Sequence, residues 1–173
     1  MPLSVFDTSP LSAFARVGRL EVLEARFGDT ARWTIEVQDE IRRGVPAHPH
    51  LTDVPGAEWL GEPIRLTDPT DLTEIERVRW ALGGIDARPE RHRGEAATIV
   101  VAQQLEAVAV LDERDARRLA AARGIPLIGT EGILRACARH GQITWDEAWE
   151  LFSEMWRLGE RLRQITRGEF VGG

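Results

Sequence analysis

Asp7, Asp112 and Glu113 are residues of this sequence whose type and placement can do chemistry. Asp7 directly follows the short apolar run Leu3–Phe6, and Asp112 and Glu113 directly follow Ala107–Leu111. Runs of that length and composition read as buried strands of a parallel sheet. Ligands of such sheets bind in the crevice beyond the carboxyl ends of the strands. If these two strands are neighbours, three carboxyl groups converge at one end of the sheet. Unpaired carboxylates at close range repel, and some are driven to protonate. A hard cation such as Mg2+ or Mn2+ removes that cost because it takes oxygen ligands. The same cation can activate water and stabilise an in-line phosphoryl transition state. The constellation therefore points to metal-assisted phosphodiester hydrolysis. Each aspartate also has a plainer reading as a helix N-cap, and Asp112 is placed to cap a helix beginning near Asp115.

The elements that must position these groups follow from periodicity and punctuation. After the first strand, Thr8 or Ser9 can cap a helix with Pro10 in its first turn and Gly18 as its stop. Leu20–Ala25 and Thr34–Arg43 read as helices, the latter ending at Gly44. Val45–Gly56 is rich in Pro and His and reads as an irregular excursion. Pro63–Leu66 is a possible second strand, and Asp71–Leu82 is a helix broken by Gly83-Gly84. Residues 85–93 are charged and expected to be exposed. Helix Glu95–Gln104, strand Ala107–Leu111, helix Asp115–Arg123, strand Ile125–Ile128 and helix Glu131–Arg139 then alternate with short turns. That alternation predicts a three-layer α/β/α fold around a central parallel sheet of about four to five strands. Trp145–Arg163 reads as one last long helix.

Composition narrows the possibilities. The 173 residues suit one globular domain, residues 1–173, with 140–173 as a C-terminal helical extension. The lone Cys137 excludes a disulfide framework and fits a reducing, cytoplasmic setting. The N-terminus lacks the basic and apolar regions of a secretory signal, and no apolar run is long enough to span a bilayer. The net charge of −6 gives no global basic field, and all 22 basic residues are arginine. Without lysine, a Walker-type phosphate loop, a Schiff-base enzyme, a response-regulator receiver or a haloacid-dehalogenase-type phosphatase cannot be built in its usual form.

Several segments together resemble the PIN domain, the nuclease fold of bacterial VapC-type toxins and their relatives. Val5-Phe6-Asp7-Thr8-Ser9-Pro10-Leu11 is similar to the family's opening strand, first acidic residue and adjoining hydroxyl. Gly94-Glu95-Ala96-Ala97-Thr98 resembles its helix-opening segment, and Leu111-Asp112-Glu113-Arg114-Asp115-Ala116-Arg117 its later acidic turn. Ile128-Gly129-Thr130-Glu131-Gly132-Ile133-Leu134 is close to a segment of one branch of PIN-like proteins. The resemblance spans about residues 1–140 in the family's order. It implies a metal-dependent ribonuclease with Asp7, Glu95 and Asp112 as metal ligands and Glu40 completing a catalytic quartet. It further implies that Glu113 or Asp115 supports or replaces Asp112, and that Thr8 orients a carboxylate or water, with Thr130 in a supporting place. The implied partners are RNA, Mg2+ or Mn2+, a cognate antitoxin and a second copy of the chain. A non-catalytic PIN-like binding or regulatory module and a phosphohydrolase of small esters are the competing classes.

Each of these residues has a structural alternative. Glu95 can be a first-turn helix glutamate favoured by the dipole, Glu40 part of a solvated face, and Thr130 an N-cap. His48 and His50 lack partners at ligand spacing, and His92 and His140 read as surface residues. Cys137 suits packing. The arginines of 88–93, with Arg114, Arg117 and Arg118, can face RNA phosphates or simply solvent.

Overall fold

The computed structural model describes residues 1–84, 88 and 90–172. The expected exposed stretch over 85–93 therefore falls partly outside the described residues, at 85–87 and 89. The apolar run at the N-terminus forms β1 (Ser4–Phe6), which lies inside a four-stranded sheet with β2 (Ala31–Trp33), β3 (Val108–Val110) and β4 (Leu127–Ile128). The order is β2-β1-β3-β4 and every pairing is parallel. The order reverses direction at β1, where the chain moves first to β2 and later to β3. This topological switch point is where an open parallel sheet leaves a crevice beyond its strand ends.

Period-two alternation divides the core into two layers. Phe6 and Val110 face one layer, packed with α1 (Thr8–Arg16), α2 (Leu20–Phe27), α3 (Ile35–Gly44), α7 (Thr130–Arg139) and α8 (Trp145–Arg157). Val5, Ala109 and Leu111 face the other, packed with α4 (Pro69–Gly83), α5 (Arg93–Gln104) and α6 (Arg114–Ala122). Covering both faces gives the expected three-layer α/β/α architecture, and the strand count falls within the expected four to five. Most helix and strand limits predicted from periodicity agree within one or two residues.

Three expectations are corrected. Pro63–Leu66 is no second strand; Ile64 makes a single parallel bridge to Thr34. Pro63 has no N–H to offer a ladder, which limits this segment to an edge. The second strand is instead Ala31–Trp33, only three residues long and recognisable through its pairing with β1. The last helix stops at Arg157. The chain then runs without regular structure to α9 (Arg167–Gly172).

That short final helix is fastened by Phe170, which is fully buried. Its ring packs on Trp145, Trp149 and Phe152 at centroid distances of 6.3, 5.6 and 5.3 Å. The Arg135 guanidinium lies 5.5 Å over the same ring. No helix of the described residues is long and apolar enough to cross a membrane. Phe170→Ala is expected to lower unfolding free energy by about 3–5 kcal/mol, read from urea titration. A loss below about 1 kcal/mol would mean that the C-terminal segment is not part of the cooperative core.

Candidate metal centre

Asp7 is the first residue beyond β1, and it serves two purposes. Its backbone N–H continues the sheet by donating to the Val110 carbonyl at 3.1 Å. Its Oδ2 accepts from the Ser9 N–H at 3.4 Å, so Asp7 itself is the N-cap of α1, in place of the expected Thr8 or Ser9. Its other oxygen, Oδ1, is buried and has no hydrogen-bond partner. An acceptor in that condition is costly unless something else satisfies it.

Glu40 and Glu95 are the groups that Asp7 meets. One carboxylate oxygen from each of Asp7, Glu40 and Glu95 can be chosen so that all lie within 4.8 Å of one another. Glu40 projects from α3, whose N-cap Thr34 accepts from the Val37 N–H at 3.3 Å. Its neighbour Asp39 is exposed, so only one of the two adjacent acids turns inward. Glu95 lies in the first turn of α5. In the first turn of α5, facing α3, sits Gly94, where an added Cβ would stand 2.5 Å from Glu40 Oε2 and 3.3 Å from Asp7 Oδ1. A side chain at position 94 would fill the space around which the carboxylates gather.

Burial and mutual repulsion leave their mark on these acids. Asp7 is held well above the usual aspartate range, chiefly by burial and then by Glu95 and Glu40, with the Thr8 and Ser9 N–H groups opposing. Glu40 is pushed up to about 7 by burial and Glu95. Arg43 and the Thr8 hydroxyl oppose that rise, although the Thr8 hydroxyl makes no complete hydrogen bond. Two raised carboxyls beside a third form an oxygen-rich set whose mutual repulsion a hard cation could relieve.

Asp112 stands outside this group of three. The register places Asp7 one residue past the Phe6–Val110 pair and Asp112 two residues past it. Alternation sends Asp7 to the α5 side and Asp112 to the α7 side. There Asp112 Oδ1 accepts from the Thr130 N–H at 2.8 Å, and Oδ2 accepts from the Thr130 hydroxyl at 2.6 Å. Asp112 is thus tied to the start of α7, not to the helix that follows it in sequence. Burial raises its pKa, and Thr130 and Arg117 oppose that rise. Gly129 permits the approach, since a Cβ there would lie 2.7 Å from Asp112 Oδ1 and 2.9 Å from the Leu111 carbonyl. Glu113 is the N-cap of α6, accepting from the Ala116 N–H at 2.8 Å. Asp115 is exposed and pairs with Arg118 at 3.1 Å.

Asp112 nevertheless lines the same open groove as Glu40 and Glu95, a cavity of about 830 Å³ that also includes Thr8 and Glu113. Its walls carry further groups, most of which sequence reading passed over. Arg16, Arg43, Arg91 and Arg161 place basic groups around the acids. Glu160, expected inside a helix, sits on the groove with Oε1 2.6 Å from Arg16 Nε. Arg16 also donates to the Leu158 carbonyl at 3.0 Å, which secures this stretch of chain. His92, read as a surface residue, is mostly buried beside Glu95. His92 precedes α5 in a left-handed conformation, so no helical spacing in the sequence marks it. No local signal marks Glu160. Of the arginines proposed to face RNA, Arg91 reaches the groove, while Arg117 donates to the Leu111 carbonyl and Arg118 pairs with Asp115.

A family model described as a PIN domain matches residues 3–171. The chain belongs to the PIN-domain family. No curated protein and no solved structure matches it. PIN domains are in general nuclease modules and typically bind divalent metals, and the buried acids of this PIN domain could hold one.

The raised carboxyls predict a pH dependence in the metal-free PIN domain. A carboxyl whose folded pKa is raised keeps its proton longer in the folded state than in the unfolded chain. Its contribution to stability is full below the ordinary glutamate value of 4.5 and is lost as pH rises through about 7. With divalent cations chelated, Tm should fall over that interval, and Glu40→Gln should flatten the fall. An identical slope in wild type and Glu40→Gln would contradict the burial and repulsion described for this group.

Proposed function

We propose that this protein is a metal-dependent endoribonuclease that hydrolyses RNA phosphodiesters with Mg2+ or Mn2+. The observation that carries this reading is the buried, unpartnered Oδ1 of Asp7 beside Glu40 and Glu95, two acids that line a groove edged by arginines. Asp7, Glu40 and Glu95 would hold the cation, with Asp112 as a further ligand on the α7 side. When bound, the cation lowers the pKa of water and offsets the charge that develops on the phosphoryl oxygens. Thr8, on the groove wall beside Glu40, would orient a carboxylate or a water. Thr130 holds Asp112 through its N–H and hydroxyl, and Glu113 supports that turn by capping α6. Asp115 is exposed and paired with Arg118, so Glu113 rather than Asp115 is the acid that supports Asp112 in this reading. Arg43, Arg91 and Arg161 suit the phosphate backbone of an RNA strand laid along the groove.

The whole of residues 1–173 acts in this reading as one nuclease domain, with 140–173 as its helical extension. Likeness to VapC-type toxins supports a toxin role in the cytoplasm, as a homodimer. The cognate antitoxin would cover the acidic groove. One observation favours a second reading, a non-catalytic PIN-like module: both oxygens of Asp112 are already engaged by Thr130, which separates it from the other three acids.

Incubation of the purified protein with RNA and Mn2+ distinguishes the two. Cleavage is expected in wild type and reduced by about 10²-fold or more in Asp7→Asn, because the substitution removes a charged oxygen from the site. Equal cleavage by both proteins would sink the assignment. RNA binding with no cleavage and no Mn2+ uptake would favour the non-catalytic module.

A further inference from the structure

His92 precedes α5 in an unusual backbone state. Its φ of 61° and ψ of 15° lie in the left-handed region, where a side chain carries a cost that glycine avoids. Helix capping does not account for it, because the imidazole makes no cap hydrogen bond to α5. The ring instead turns inward, with its side chain 15% exposed and Nδ1 buried without a hydrogen-bond partner. Nδ1 stands 3.4 Å from Glu95 Oε1. A chain that needed only a turn at this point could use glycine. Retaining a histidine puts a ring nitrogen against one member of the acidic cluster.

We infer that His92 is a positioning residue for Glu95. With a proton on Nδ1, the ring presents a donor to the Glu95 carboxylate. It limits the rotamers of Glu95 and holds a ligand oxygen toward the cation site. The left-handed backbone at position 92 is what brings the ring back over the first turn of its own helix. This inference rests on the reading of Asp7, Glu40 and Glu95 as a cation site, and it adds a residue that orients one of the ligands.

Two substitutions separate backbone from side chain. His92→Gly suits the left-handed backbone and removes the ring. His92→Asn also tolerates that backbone and returns an N–H donor at about the place of Nδ1. Mn2+ affinity is measured by isothermal titration calorimetry without RNA, and Tm is measured without metal. His92→Gly is expected to weaken Mn2+ binding roughly tenfold, the lower end of what lost ligand-orienting partners cost. Its metal-free Tm should be unchanged or higher, and His92→Asn should recover most of the affinity. Unchanged affinity in His92→Gly, or His92→Asn as weak as His92→Gly, would overturn the positioning role while leaving the cation site intact. A lower metal-free Tm in His92→Gly would mark the ring as a packing group and also overturn it. If wild type itself takes up no Mn2+, the cation-site reading falls first and this inference with it.

Discussion

Crowding of like charge is the constraint around which this molecule is organised. Two unit charges about 4.8 Å apart repel by roughly 3.5 kcal/mol at an effective dielectric near 20. Asp7, Glu40 and Glu95 place three such groups within that distance of one another. Each also loses hydration through burial. The fold must therefore supply compensating rigidity, and it does so by drawing each carboxylate from a different element. Asp7 comes from the end of β1, Glu40 from α3 and Glu95 from the first turn of α5. Moving any one of them away would require shifting an element packed into one of the two core layers.

The same constraint explains the local choices around the site. Gly94 leaves open the space between two of the acids, and Gly129 lets α7 begin against Asp112. The Asp7 side chain is divided between duties, one oxygen capping α1 and the other left without a hydrogen bond. Each oxygen of Asp112 accepts one hydrogen bond from Thr130. The two aspartates follow neighbouring parallel strands and look equivalent in sequence, yet one is poised and the other is held. A one-residue difference in register past the β1–β3 pairing separates them, because successive side chains leave a strand on opposite faces.

The PIN-domain match covers nearly the whole chain, including the part beyond residue 140 where segment resemblance ended. That C-terminal part contributes to the groove as well as to the core. Phe170 anchors its end, while Glu160, Arg161 and Leu162 line the cavity. The groove is thus bounded by segments from both ends of the chain.

Much of this was legible in sequence, and the part that was not has a common cause. Helices α4 to α7 and strands β1, β3 and β4 were readable because periodicity, glycine stops and apolar runs are local properties. Acids at strand ends were equally visible, and so was the α/β class. Strand β2 escaped because three residues carry too little pattern, and its identity resides in its partner. His92 and Glu160 escaped because their environment is built by residues far away in the chain or by an uncommon backbone angle. By itself the sequence determined the layered fold and an acidic edge to its sheet. Tertiary structure decided which carboxylates share that edge, because strand order, facing and burial depend on contacts between segments that no local pattern records.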